Sequence, residues 1–264
     1  GNTSNSGRDA LSSLSRYGKI LLRTEAVEPA DAELSAEMNY GAPAPDQLPI
    51  SQWKLLLTKH CRQRELNQYD YQPDPCGYKP LREAISGLLK RSRSIQCDAE
   101  QVFIFSSAQL ALDTIARLFL NQGDIAAVED PGFPGARRTF MSYGAELLPV
   151  PVDVDGLSVT ALKEAPTAKM VYVTPSHHDP TGVILSSDRR IELLEWAGRN
   201  GTLIVEDDFD SEYRYGGAPA SALQSIDQYQ SVIFLSSFWK TLFPIVRMGF
   251  LVVPESFVSL FKTA

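Results

Sequence analysis

A chain of 264 residues, 44% of them hydrophobic, can build one large domain, or one plus a fragment. Its net charge of −7 offers no basic face for nucleic acid, and no apolar run is long enough to cross a membrane. The three cysteines, Cys61, Cys76 and Cys97, are odd in number and lack CxxC spacing. That argues against a disulfide framework or a zinc site and for a reducing, cytoplasmic setting. The opening GNTSNSGRDALSS has no apolar h-region and reads as a flexible linker, not a secretory signal.

Residues 1–46 read as an irregular linker and N-terminal arm, with a Pro/Ala-rich piece at Gly41 to Pro49; residues 47–264 read as the folded domain. SQWKLLLTKHCRQREL has apolar residues at helical spacing and predicts a helix. After the turn-rich Tyr69 to Pro80, LREAISGLLKRSR predicts a second helix. Strands and helices then alternate. VFIF, IAAVED, ELLPVPV, KMVYVTP, TLIVED, SVIFLS and MGFLVVP are the strands. AQLALDTIARLFL, PGARRTFMSYG and SSDRRIELLEWAGRN are the helices between them. Short apolar strands alternating with amphipathic helices predict a three-layer α/β/α fold with a mostly parallel mixed sheet.

Ligands of such sheets bind at the carboxyl ends of the strands. After VFIF comes Ser106 to Gln109, a helix start that can bind phosphate or serve as an ordinary N-cap. After IAAV, Phe133 sits in a Gly/Pro-framed turn, where an aromatic can stack on a flat ring or join the core. After KMVYV, His177, His178 and Asp179 have metal-ligand chemistry, but adjacent histidines on one loop seldom reach one ion. Asp207 ends a buried strand and is costly there unless paired. A protonated pyridine nitrogen would serve, attracted by about 4 kcal/mol at 4 Å and an effective dielectric near 20. Asp208, Asp210 and Glu212 read as a solvated charge run or caps. After SVIFL, Ser236 and Ser237 precede Lys240, and Arg247 follows. A lysine amine with hydroxyls and a guanidinium nearby suits a carbonyl cofactor with a phosphate tail. No P-loop, GxGxxG or GxSxG motif is present. DFD at 208–210 leaves an aspartate phosphotransferase as a rival, which explains neither Lys240 nor Arg247.

Read together, DPCGYKPLREAI, EDPGFPGAR, VTPSHHDPTG with the following RR, EDDFDSEYRY and SSFWKTLFPIVRMGFLVVP resemble a fold-type-I pyridoxal-phosphate protein. More narrowly, they resemble the aminotransferase-like domain of MocR-type regulators in the GntR superfamily, over about residues 39–264. The resemblance implies that Lys240 forms a Schiff base with pyridoxal 5'-phosphate and that Asp207 pairs with its ring nitrogen. It implies that Phe133 stacks on the ring. Ser107, Ala108, Gln109, Ser237 and Arg247 would hold the phosphate, joined by Tyr71 of a neighbouring subunit. It further implies a homodimer, a small amine or amino-acid effector, and DNA contact only through a winged-helix domain that lies outside this chain. A C-terminal small domain carrying the arginine for a substrate carboxylate is also expected outside it.

Four residues depart from the family pattern. Phe209 stands where tyrosine is usual, removing a hydrogen bond to the cofactor's ring oxygen. Asp179 stands where asparagine or an aromatic is usual, Trp239 where a small residue is usual, and Ser107 where glycine is usual. Each predicts weaker or reshaped cofactor binding. Two other functions fit the same residues: a true aminotransferase, in which Lys240 also moves protons, and a cofactor-free dimerisation domain.

Overall fold

The structure, a computed structural model, describes residues 13–22, 45–62, 74–213, 221–242 and 246–264. Its elements in chain order are α1 (Arg16–Leu21), α2 (Ile50–Arg62), α3 (Lys79–Ser92), β1 (Val102–Phe105), α4 (Ala108–Phe119), β2 (Ile125–Asp130) and α5 (Pro134–Ser142). There follow β3 (Glu146–Asp153), β4 (Gly156–Leu157), α6 (Val159–Glu164), β5 (Met170–Val173), α7 (Ser187–Asn200) and β6 (Leu203–Asp208). The last are α8 (Leu223–Ile226), β7 (Val232–Ser237), α9 (Trp239–Leu242), β8 (Gly249–Val252) and α10 (Val258–Thr263). No helix among the described residues is long and apolar enough to cross a membrane.

One eight-stranded sheet runs β1-β8-β7-β6-β5-β2-β3-β4. Strands β7, β6, β5, β2 and β3 pair in parallel. β8 runs against both its neighbours, so β1 points the same way as the parallel set. Consequently the carboxyl ends of β1, β2, β5, β6 and β7, and the start of β8, meet at one edge. The mostly parallel sheet expected from the sequence is present. Pro149 and Pro151, which lack a donor, lie in β3, whose outer side meets only the two-residue β4 at Val152 and Asp153.

Strand residues alternate between faces, so each central strand feeds two cores. Val128, Met170, Tyr172, Val205 and Leu235 pack with Leu112, Ile115 and Phe140 of α4 and α5. Ala127, Val171, Val173 and Ile204 pack with Val159, Leu193, Leu194 and Trp196 of α6 and α7. A third cluster joins Ile85 and Leu89 of α3 to Val102, Phe234, Phe250 and Val252. The cysteines are free thiols, Cys76 and Cys97 buried and Cys61 exposed.

Some elements differ from the sequence expectation. Within the stretch expected to be irregular, Arg16–Leu21 is helical, started by Ser15, whose hydroxyl accepts from Gly18 N. Its Tyr17 ring packs 5.1 Å from Tyr143 and its hydroxyl donates to Asp113 at 3.4 Å. The short α6 follows a serine cap, Ser158. Lys240 sits on a one-turn helix, α9, for which no expectation was drawn.

Candidate active site

Alternation carries Tyr172, Asp207 and Ser237 to the sheet face that α4 and α5 cover, at its carboxyl edge. Tyr172 donates its hydroxyl proton to Asp207 Oδ2 at 2.6 Å. Asp207 is 7% exposed, and its other oxygen, Oδ1, has no hydrogen-bond partner among the described residues. Burial pushes the Asp207 carboxyl up to about 7, a rise that the Tyr172 bond partly offsets and the nearby carboxylates reinforce. The Phe133 ring lies 6.3 Å from Tyr172 with 27° between the planes. Phe133, Tyr172 and Asp207 therefore form one contiguous wall.

A second corner forms where β1, β8 and β7 end. Gly249 pairs with both Phe105 and Ser237. A Cβ on Gly249 would come within 2.5 Å of Ala108 N and 2.8 Å of the Ser107 carbonyl carbon, so only glycine lets β8 pass the start of α4. Ser237 is buried, and the exposed Arg247 lies two residues before Gly249. Ser107 Oγ accepts from Leu110 N at 3.1 Å, so the serine is an N-cap; the N–H groups of Ala108 and Gln109 lie in the first turn, where the helix supplies no acceptor. Gln109 Nε2 donates to Thr139 Oγ1 at 2.6 Å, tying α4 to α5.

Lys240 leaves the end of β7 on α9. Its Nζ lies 5.7 Å from the centroid of the Phe209 ring. Tyr213 donates its hydroxyl proton to the Lys240 carbonyl at 2.8 Å, fixing the turn from the β6 side. Asp179, half-buried, raises the carboxyls of both Glu129 and Asp207 by its charge and so borders the same space. Tyr71 lies outside the described residues.

The expectation for the acidic run needs correction. Asp208 is no solvated residue: it is 2% exposed and held by the buried Arg93, whose Nε lies 3.0 Å from Asp208 Oδ2. Arg93 Nη2 also donates to Ser176 Oγ at 2.5 Å, and Ser211 donates to Asp208 at 2.7 Å. Asp210 pairs with His177 Nδ1 at 2.8 Å. His178 points elsewhere, to Thr181 and to the Pro131 carbonyl, so the two histidines diverge. The sequence reading missed Tyr172, Arg93 and Glu129. A tyrosine in an otherwise aliphatic buried strand was the available signal for the first.

These residues fit pyridoxal phosphate. Among the described residues Asp207 Oδ1 is a buried acceptor without a donor, and a protonated pyridine nitrogen would supply one. The Gly249 crossing draws the strand that follows Arg247 onto the α4 start, where phosphate binding is favoured.

Burial also pushes Glu129 up to about 8 and Glu206 up to about 7. With Asp207, three carboxyls bind protons more tightly folded than unfolded. Their stabilisation is complete below about pH 4 and is lost as pH rises through 7 to 8, by up to about 1.4 kcal/mol per group per pH unit. His178, lowered by burial, opposes this as a single group. The cofactor-stripped chain is expected to show a higher urea midpoint at pH 5.5 than at pH 8; equal or reversed midpoints would refute this balance.

Residues 37–264 match the model of the family described as aminotransferase class I and II. The chain is 38% identical over 258 residues to the probable rhizopine catabolism regulatory protein MocR of Rhizobium meliloti, covering 97% of this chain and 51% of that protein. It is 35% identical over 225 residues to the HTH-type transcriptional regulator TauR of Rhodobacter capsulatus, covering 83% of this chain and 45% of that protein. Among solved structures, kynurenine aminotransferase of Pyrococcus horikoshii, in complex with PMP, superposes with a TM-score of 0.79 at 29% identity. That match covers 99% of this chain and 62% of the other. The chain spans about half the length of the curated relatives it matches.

Proposed function

Because this chain belongs to the aminotransferase class I and II family, and its regulator relatives are of the MocR type, we propose that it is the effector-sensing, pyridoxal-phosphate-binding part of a GntR/MocR-type transcriptional regulator. The family's fold implies that cofactor. The observation that carries the reading for this chain is the buried Asp207 carboxylate, one oxygen held by Tyr172 and the other left for a cation.

When bound, pyridoxal phosphate supplies an aldehyde to which amines add and a ring that withdraws electrons. Lys240 is the amine that this chain offers. Asp207 would hold a proton between Oδ1 and the ring nitrogen, since Tyr172 already occupies Oδ2. Phe133 would lie against the ring. Ser237, Arg247 and the N–H groups of the Ser107–Gln109 turn would hold the phosphate. Phe209 would provide an apolar surface under the Lys240 side chain, with no hydroxyl to donate. An effector amine would compete with Lys240 for the aldehyde, so the protein would have two states: lysine engaged, or lysine released. Only a difference in effector affinity between the two states can shift the domain toward either. In this reading the protein is a homodimer, and DNA contact belongs to a part of the regulator outside this chain.

A second reading is a pyridoxal-phosphate-dependent aminotransferase, favoured by the 29% identity to a kynurenine aminotransferase along 99% of this chain. Loading the chain with pyridoxal phosphate and adding small amines and amino acids separates the two. A saturable absorbance change without keto-acid release supports the sensor. Steady keto-acid release supports the enzyme. No visible band at saturating cofactor removes both and leaves a cofactor-free domain. Asp207→Asn, which loses a charged acceptor worth about 1.5–3 kcal/mol, is expected to weaken cofactor binding by about ten- to a hundredfold in the same titration. Unchanged affinity would remove Asp207 from the site.

A further inference from the structure

Two loops flank the Asp207 wall: the β2–α5 turn with Phe133, and the β5–α7 loop with Asp179. His178 stands between them. It is 2% exposed, and both ring nitrogens are engaged. Nε2 lies 3.0 Å from the Pro131 carbonyl, which can only accept, so Nε2 carries the proton. Thr181 N, which can only donate, lies 3.4 Å from Nδ1, so Nδ1 is the acceptor and takes the Thr181 hydroxyl proton at 2.7 Å. The imidazole is thus neutral and of one tautomer, and burial, the main cause of its lowered pKa, keeps it so. The backbone on either side is pinned as well: His178 N donates to the Val183 carbonyl at 2.8 Å, and Gly182 N to the His178 carbonyl at 2.7 Å.

A second tie runs beside it. Glu129 Oε2 accepts from Thr174 N at 3.0 Å and from Thr174 Oγ1 at 2.7 Å. Thr174 Oγ1 accepts in turn from Asp179 N at 3.1 Å. The Phe133 turn folds closely onto β2: a Cβ on Gly132 would come within 2.3 Å of the Glu129 carbonyl oxygen. Pro131, the residue His178 holds, lies two residues before Phe133.

We propose that His178 is a positioning residue that fixes the Phe133 turn against the Asp179 loop and so sets the pose of the ring bound at Asp207. This rests on the pyridoxal-phosphate reading above. The test compares the full chain with His178→Phe and His178→Gln, titrated with pyridoxal phosphate. Two quantities are read: the dissociation constant, and the induced circular dichroism of the visible band at saturation. The second reports ring pose and does not follow from folding stability alone. His178→Phe, which has neither donor nor acceptor, is expected to bind about tenfold more weakly or worse and to lose most of the induced signal. His178→Gln, whose amide can donate to Pro131, is expected to recover most of both.

A folded His178→Phe indistinguishable from the unsubstituted chain overturns the proposal and leaves the cofactor reading standing. Equal losses in both variants overturn it too, since the hydrogen bond to Pro131 then carries nothing. No visible band in the unsubstituted chain overturns the cofactor reading and this proposal with it. Should His178→Phe not fold, Thr181→Val removes the hydroxyl at 2.7 Å from Nδ1 and leaves the longer contact from Thr181 N; it is expected to weaken binding and reduce the induced signal, and no change in either overturns the proposal.

Discussion

Lys240→Ala is expected to abolish the visible absorbance band of the chain loaded with pyridoxal phosphate, while unfolding stability stays within about 0.5 kcal/mol of the unsubstituted chain. The asymmetry follows from where the lysine sits. It leaves the end of β7 on a single helical turn, with its amine above Phe209 and no place in the three apolar cores. Removing the side chain takes away the amine and little packing. Lys163 and Lys262 cannot substitute, since their amines are paired with Glu192 and Glu100 on the surface. A band that survives in Lys240→Ala would place the reactive amine elsewhere.

Arg93→Met is expected to cost about 3–5 kcal/mol in urea unfolding, the largest stability effect among these predictions. Arg93 and Asp208 are 7% and 2% exposed, and the arginine spans the end of α3, the Ser176 loop and β6. Without it, Asp208 keeps its burial and loses its counter-ion. Among the described residues Ser211 is then left donating to its side chain at 2.7 Å, which does not neutralise the charge. Pairing Arg93→Met with Asp208→Asn removes the uncompensated charge and is expected to recover most of the loss. A single substitution costing less than about 1 kcal/mol would mean that water reaches the pair, as at exposed ion pairs.

The strands were legible because each is a short apolar run bounded by polar or turn residues. IAAVED is β2 from Ile125 to Asp130 and VFIF is β1 from Val102 to Phe105. Asp207 was legible as a carboxylate at the end of such a run. Its neighbour was not. Asp208 looks like Asp210 in sequence, and its partner is Arg93, 115 residues earlier, just after a helix whose last turn also carries Lys90 and Arg91. Tyr172 was hidden for the same reason: its hydroxyl reaches Asp207 across 35 residues of chain. Local pattern gives the strand; pairing across strands gives the partner. Ser107 shows the reverse. Its fit as an N-cap is local and was read as an alternative, and its hydroxyl does accept from Leu110 N. The four-residue α9 has too few turns to show a helical period, so no helix was expected at Lys240.

The central claim is that Lys240 is the amine facing the cofactor's aldehyde beside Asp207. Reducing the pyridoxal-phosphate-loaded chain with borohydride and mapping its peptides by mass spectrometry tests this directly. One phosphopyridoxyl group on Lys240 is the predicted result. Label on another lysine, or none in a chain that has taken up cofactor, would contradict it.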